Sequence, residues 1–588
     1  MKKKSTILTV LGYLKRYWFL IIVSLAFACA SVLLSLYIPI IVGDGIDLII
    51  DTGMVDFEAL LPLITNIGII ALIVALLQWL MNLINNRITY NVTKDIRNRA
   101  FDKIHNLPLS YIDSNPSGAI VNKIISDVDQ FAEGLLMGFT QFFSGIVTII
   151  ATLIIMLMLS WKIALVVILL TPLSLFVASF ISKSTYSLFK KQSESKAEGT
   201  AIINEVIGNL KVVKAFSRED EELERFDKAN DKLERVSRKA IFFSSLVNPC
   251  TRFVNSLVYA GVALVGALLV IKAGGGVDGA LTVGVLSVFL SYATQYAKPF
   301  NEISGVITEL QNSLACAKRV FDFTNEKEEE SDSDNAELVI DDGDIKLSHV
   351  SFSYTDDKKL IEDLNLKVES GMHVAIVGPT GCGKTTLINL LMRFYDVKSG
   401  EIWVDNQNIK EITRHSLRSS YGLVLQDTWL QNGTVRENIA LGKPNAAENE
   451  IIEAAKASHA HSFIKRLPNG YDTVISDENS SLSQGQRQLL CIARIMLALP
   501  PMLILDEATS SIDTRTEIKI QKAFSTLMQG RTSFIVAHRL STIKEADLIL
   551  VMKDGNIIEM GNHEELLMQN GFYATLYNSQ FEPSEELL

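Results

Sequence analysis

The sequence predicts two physical regimes in one chain: an α-helical membrane domain of six spans, then an α/β domain built around a phosphate-binding loop. Three observations carry this reading. Long apolar stretches recur through the first half, and an acidic run near residue 330 marks a change of composition. Beyond it, Gly378-Pro379-Thr380-Gly381-Cys382-Gly383-Lys384-Thr385-Thr386 stands between an apolar strand pattern at 373–377 and a helical one at 387–392. A chain of 588 residues is too long for a single core, and 48% hydrophobic residues is high for a water-soluble protein.

Residues 1–17 read as a short basic amphipathic segment along the membrane surface. Stretches long enough to cross a bilayer follow at 18–42, 59–84, 135–160, 163–182, 241–271 and 280–305. The first connecting loop carries Asp44, Asp47, Asp51, Asp56 and Glu58 without a basic residue, so it is expected outside. The segment 87–134 holds Arg87, Lys94, Arg97, Arg99, Lys103 and Lys123, and 183–240 holds a similar set; both are expected inside. Each is too long for an unstructured loop, so the helices should run on into the cytoplasm and turn there. Ser110-Tyr111-Ile112-Asp113 and 209–216 are the expected docking turns.

The expected boundaries are a membrane domain at 1–323, an acidic linker at 324–344, a nucleotide-binding domain at 345–581 and a tail at 582–588. The linker, with Glu328, Glu329, Glu330, Asp332 and Asp334, reads as flexible because it cannot bury itself. A net charge of -11 argues against a nucleic-acid partner. Five cysteines, at 29, 250, 316, 382 and 491, show no metal-ligand spacing and fit reduced thiols.

The chemistry is concentrated in the second half. Glycines 378, 381 and 383 let the loop aim successive N–H groups inward, Lys384 can reach the β- and γ-phosphates of a nucleotide, and Thr385 can ligate Mg²⁺. An apolar strand at 502–505 ends in Asp506 and Glu507. Asp506 is expected to hold Mg²⁺ through water and Glu507 to act as the general base that orients the attacking water. His538, after the strand pattern at 532–537, can donate to the γ-phosphate and keep Glu507 and the water in line. Ser483 stands where it can cap a helix beginning Gly485-Gln486-Arg487, whose N-terminus would face an anion.

Taken in this order along the chain, these motifs resemble the ABC transporter family, in particular exporters of the type IV fold with six membrane helices fused to one ABC nucleotide-binding domain. The resemblance covers nearly the whole chain. It implies that Tyr354 stacks on adenine and that Gln426 links Mg²⁺ and the nucleophilic water to the membrane half. It also implies that Leu482-Ser483-Gln484-Gly485-Gln486 is the signature, with Gln484 where glycine is commonest, and that Asp513 lies in the loop crossing a dimer interface. ATP and Mg²⁺ are the implied cofactors, ATP hydrolysis coupled to transport the implied reaction, and a second half-transporter the implied partner.

Where homodimeric relatives often carry Gly-Glu-x-Gly before the signature, this chain has Ser476-Asp477-Glu478-Asn479-Ser480-Ser481. That favours the catalytically complete subunit of a heterodimer, with a homodimer as the alternative. The expected function is export of hydrophobic or amphipathic compounds (drugs, lipids or peptides) across the cell membrane by alternating access. An ATP-gated channel or regulator, and an importer on the same fold, are the alternatives. Polar residues within the spans, such as Asn85, Gln141, Arg252 and Tyr292, read either as a cavity wall or as helix-to-helix hydrogen bonding, or for Arg252 as a position near the inner interface.

Overall fold

Helix Phe57–His105 is 49 residues long, which at 1.5 Å per residue is roughly 70 Å, more than twice the hydrocarbon thickness of a bilayer. The computed structural model that shows it describes residues 6–49, 56–272, 282–332, 334–340, 342–355, 359–425, 428–476, 482–506, 512–537 and 540–581. It divides into two units: Met1–His105 with Pro116–Glu326, and Asn106–Asn115 with Lys327–Leu588.

The first unit is helical. Among the described residues, four stretches are long and apolar enough to cross a membrane: Thr6–Asp47, Phe57–His105, Ser117–Leu159 and Glu219–Lys272. The span expected at 163–182 falls within helix Trp161–Gly208, and that expected at 280–305 overlaps helix Val283–Thr324 from 283 on; residues 280 and 281, and several side chains of both helices, lie outside the described residues. Two close crossings fix the packing. A Cβ on Gly43 would stand 2.6 Å from Val288 Cγ2 and 2.9 Å from the carbonyl oxygen of Gly284, and one on Gly134 would stand 2.6 Å from Ser313 Oγ. At the first crossing, Asp47 Oδ1 accepts from the backbone N–H of Gly284 at 2.7 Å, and Asp47 Oδ2 accepts from Thr282 Oγ1 at 2.5 Å. The start of helix Val283–Thr324 is thereby capped from another helix.

Asn85 and Tyr292 are buried and act as ties between helices. Ser24 Oγ donates to Asn85 Oδ1 at 2.6 Å, and the Tyr292 hydroxyl donates to the carbonyl of Leu36 at 2.6 Å. Outside the apolar band, helices Trp161–Gly208 and Glu219–Ser245 run together with Arg225 paired to Glu205 at 3.0 Å and Lys232 to Glu198 at 2.7 Å. Exposed pairs of this kind contribute little energy each but define how the helices align.

The strands of the second unit are β1 (Ile345–Phe352), β2 (Ile361–Val368), β3 (His373–Val377), β4 (Ser399–Val404), β5 (Gln407–Asn408), β6 (Tyr421–Val424), β7 (Gly433–Thr434), β8 (Val474–Ile475), β9 (Met502–Asp506), β10 (Thr532–Val536), β11 (Leu548–Lys553) and β12 (Asn556–Gly561). They make an antiparallel sheet β2-β1-β4-β5, a six-stranded sheet β12-β11-β3-β10-β9-β6 and the small pair β7-β8. In the six-stranded sheet β11, β3, β10, β9 and β6 are parallel and β12 is antiparallel to β11. Both faces are covered, as the continuous apolar runs require. Val374, Ile376, Ile504 and Phe534 pack toward helix Lys384–Leu391 and the second sheet, while Ala375, Val377, Leu503, Leu505 and Ile535 pack toward helix Gln484–Ala498.

The acidic run expected to be a flexible linker is instead fastened down. Arg414, almost fully buried, pairs with Glu329 and Asp332 at 3.6 Å each and with Asp396 at 3.2 Å, and its Nη1 donates to the carbonyl of Glu330 at 2.8 Å. Arg418 approaches Glu329 at 3.7 Å, and Asn335 Nδ2 donates to the carbonyl of Lys410 at 2.9 Å. The acids could not bury themselves, but arginines of this domain bury against them.

Arg414→Ala leaves those carboxylates without their cation and is expected to cost about 3 kcal/mol, read as a lower apparent unfolding temperature of the full chain. The backbone N–H of Arg414, ahead of its guanidinium, holds the Asp332 carboxyl below its ordinary pKa despite partial burial. Its stabilisation is therefore present above the ordinary carboxylate pKa and fades as the pH falls through the lowered value. Asp332→Asn is expected to flatten that acid limb of the unfolding curve.

Candidate functional site

Strands β3, β10, β9 and β6 are neighbours and run the same way, so their carboxyl ends share one edge of the sheet. That edge of an open α/β sheet is where ligands bind. The phosphate loop follows β3 and Asp506 ends β9; in the sequence, residue 507 comes next after β9, residue 538 shortly after β10 and residue 426 shortly after β6. Gln426, Glu507 and His538 themselves lie outside the described residues. Asp506 is the last residue of β9, paired in register with Val536 of β10.

The phosphate loop owes its shape to close backbone approach. Gly378, Gly381 and Gly383 have φ of 155°, 82° and 105°, values that side-chain-bearing residues rarely adopt. A Cβ on Gly378 would overlap the carbonyl oxygen of Met552 and come within 2.7 Å of Cys382 Sγ. The turn between β11 and β12 closes the loop from below: the N–H of Gly555 donates to the carbonyl of Cys382 at 3.0 Å. Pro379 and Thr380 are exposed, and Cys382 is buried.

Helix Lys384–Leu391 starts directly after Gly383, and Lys384 Nζ donates back to the carbonyls of Gly378 at 2.7 Å and Pro379 at 3.2 Å. Thr385 is exposed, whereas Thr386 is buried and shares a hydrogen bond with the Tyr354 hydroxyl at 3.1 Å. Tyr354 is half exposed, its ring edge-packed with Phe352 and Tyr395. Asn389 Nδ2 donates to its hydroxyl at 3.4 Å. An inward-turning loop, a lysine, a helix N-terminus and a presented aromatic ring suit a nucleoside triphosphate. The hydroxyl of Thr385 and the carboxylate of Asp506 are oxygen donors of the kind a small divalent cation takes.

The signature builds a second helix start. Ser483 Oγ accepts from the N–H of Gln486 at 3.3 Å, and Gln486 Oε1 accepts from the N–H of Ser483 at 2.9 Å. This capping box begins helix Gln484–Ala498, one residue earlier than the sequence suggested. Gln484 is exposed. Gly485 is buried, and a Cβ there would lie 2.5 Å from Thr516 Cγ2 and 2.9 Å from Ile512 Cγ2. Its smallness is thus required by packing against helix Thr514–Met528, a reason the motif alone does not disclose. Asp513 caps that helix, its Oδ1 accepting from the N–H of Thr516 at 2.9 Å, which draws its carboxyl below the ordinary pKa.

The structure therefore groups Tyr354 with residues 378–386, and 483–486 with Asp513. It adds Met552 and Gly555 under the phosphate loop and Asn389 beside Tyr354. Of these additions only the Asp554-Gly555-Asn556 turn left a trace in the sequence, as a hairpin signal. In the first unit, the tip at 209–216 forms helix Leu210–Ala215, with Leu210, Val212 and Phe216 exposed at 44%, 53% and 74%. These side chains make an apolar knob at a turn, where water would ordinarily favour polar residues.

Comparison with known proteins identifies the family. The chain matches the family model for the ABC transporter transmembrane region over residues 21–300 and that for the ABC transporter over 361–510. It is 42% identical over 519 residues to a fatty acid ABC transporter ATP-binding/permease protein of Mycobacterium bovis, covering 88% of this chain and 81% of the relative. It is 39% identical over 543 residues to an ATP-dependent lipid A-core flippase of Desulfotalea psychrophila, covering 92% and 93%. A solved structure of a bacterial Atm1-family ABC exporter with ATP bound superposes with a TM-score of 0.78 at 29% identity, covering 97% of this chain and 99% of that one. By the length and identity of these matches the chain belongs to the ABC transporters, as a membrane-embedded, exporter-type half-transporter that couples ATP hydrolysis to transport.

Proposed function

We propose that the chain exports hydrophobic or amphipathic compounds, with lipids foremost among lipids, drugs and peptides, across the cell membrane by alternating access as half of a dimer. The observation that carries this reading is the coexistence of a complete phosphate loop and a capped signature helix in a chain whose relatives are named for fatty acid and lipid A-core transport. The same relatives do not favour a channel, a regulator or an importer. The six apolar stretches support six crossings, and the charge asymmetry of the loops supports a nucleotide-binding domain in the cytoplasm.

Within the proposed cycle, residues 378–386 hold the phosphates, Lys384 offsets their charge, and Tyr354 presents its ring to the base. Thr385, Gln426 and Asp506 would hold Mg²⁺, which supplies charge neutralisation at the β- and γ-oxygens. Glu507 orients and deprotonates the attacking water, and His538 donates toward the γ-phosphate. Ser483, Gln484, Gly485 and Gln486 serve the γ-phosphate bound to the other subunit, with Asp513 in the intervening loop. The capped signature supports this: a helix start whose own chain supplies its cap is ready to meet an anion brought by another domain. The apolar knob at Leu210, Val212 and Phe216 is the proposed docking point on a nucleotide-binding domain. The replacement of Gly-Glu-x-Gly by residues 476–481 favours a heterodimer, with this chain contributing the competent site.

Two variants separate binding from chemistry. Gly378→Ala is expected to abolish nucleotide binding, measured with a fluorescent ATP analogue, because its Cβ meets the Met552 carbonyl. Glu507→Gln is expected to keep binding while ATPase activity in lipid nanodiscs falls by about two orders of magnitude or more. Near-normal turnover in the second variant would remove Glu507 from the role of base.

A further inference from the structure

The backbone of Arg393 is held at φ 47°, a conformation uncommon for a residue with a side chain. It closes the preceding helix, with the N–H of Phe394 donating to the carbonyl of Asn389 at 2.8 Å, and its buried guanidinium donates to Asp396 Oδ1 at 2.9 Å and to the carbonyls of Ile409 at 2.7 Å and Ile412 at 3.1 Å. The chain is thereby turned so that Tyr395, two residues on, lies among aromatic rings. It stands edge-on to Tyr354, with centroids 5.0 Å apart at 90°, and is tilted against buried Phe352 at 5.6 Å and 66°. Phe352 and Tyr354 are themselves edge-on at 5.0 Å. Edge-to-face pairs fix ring orientation, so the angle at which Tyr354 is presented depends on Tyr395.

The other end of Tyr395 does something different. Its hydroxyl donates to Asp113 Oδ2, in the short helix Leu109–Ser114 at the first docking turn. Partial burial and that neighbouring carboxylate push the phenol above its ordinary pKa, which keeps it a donor. The opposite end of the same segment is also held, since the N–H of Glu329 donates to the carbonyl of Asn106 at 2.9 Å. Glu329 in turn faces Arg414, which pairs with Asp396 beside Tyr395.

We propose that Tyr395 is a positioning residue that carries the state of the Tyr354 ring to the docking segment 106–115 of the same chain, one side of it bearing on the base-stacking ring and the other on Asp113. The inference rests on the reading of Tyr354 as the base-stacking ring. A nucleotide base settling on Tyr354 fixes that ring, the edge contact passes the constraint to Tyr395, and the phenol holds Asp113. The device works within one subunit, independently of the contact that joins two subunits across the signature.

The test uses the full chain in nanodiscs, with AMP-PNP as the probe and hydrogen–deuterium exchange of 106–115 as the readout. In the wild type, AMP-PNP is expected to slow exchange there at least threefold. Tyr395→Phe keeps the ring and removes the hydroxyl; it should abolish the slowing while AMP-PNP affinity stays within twofold. Asp113→Leu, at an exposed position, should behave alike, and the double variant should be no worse than either single one. Slowing retained in Tyr395→Phe, or absent from the wild type, would overturn the link. Unchanged AMP-PNP affinity in Tyr354→Ala would instead overturn the base-stacking reading beneath it.

Discussion

The backbone at Gly378 passes so close to the carbonyl of Met552 that no side chain fits between them, and the shape of the phosphate loop follows from that contact. Met552 belongs to β11, hydrogen-bonded to β3 in parallel register, so the loop is cast against the strand beside the one it leaves. Burial on both faces makes this sheet rigid, because each strand sends alternate side chains into two separate cores. Adjacent strands are spaced by roughly 4.8 Å, so segments leaving neighbouring strands are delivered to one edge without any loop having to reach.

The membrane unit and the soluble unit solve the same problem by different means. In the helices, glycines at 43, 134 and 284 remove side chains where backbones cross, as expected where lipid gives no hydrophobic drive to association. Polar groups then fasten the crossings: Asp47 at one helix start, Asn85 and Tyr292 further in. In the soluble unit the fastening is ionic, with Arg393, Arg414 and Arg418 gathered around Glu329, Asp332 and Asp396. Such clusters contribute less to net stability than their Coulomb energy suggests, yet removing one member is costly. They fix a conformation more than they strengthen it.

How much of this was legible in the sequence depended on how local the cause was. The strand His373–Val377, the loop and the helix after it were readable because glycine spacing and apolar patterning lie within twenty residues. The Ser483 cap was readable for the same reason, since both partners of a capping box are three residues apart. The fastening of the acidic run was not, because Asp332 and Arg414 meet only through the folded chain. The requirement for glycine at 485 was also hidden: it comes from Ile512 and Thr516, in a different element. Tyr395 left no signal, since a tyrosine after a helix has no periodicity to betray it. Polar residues inside apolar helices gave two readings, and burial resolved Asn85 and Tyr292 as ties.

Helix Phe57–His105 exceeds the bilayer's needs by roughly 40 Å, and that surplus has a mechanical meaning. A rod of that length converts rotation into displacement, and the buried Ile88, Val92, Ile96 and Ala100 make its far half move with the helices it packs on: a tilt of about 10° would swing its far tip by roughly 7 Å. Small angular adjustments of this helix within the bilayer are thus magnified at its far turn, and equally a modest push on that turn is geared down into fine rotation among the lipid-facing segments. Length itself sets the exchange rate between motion at one end and motion at the other.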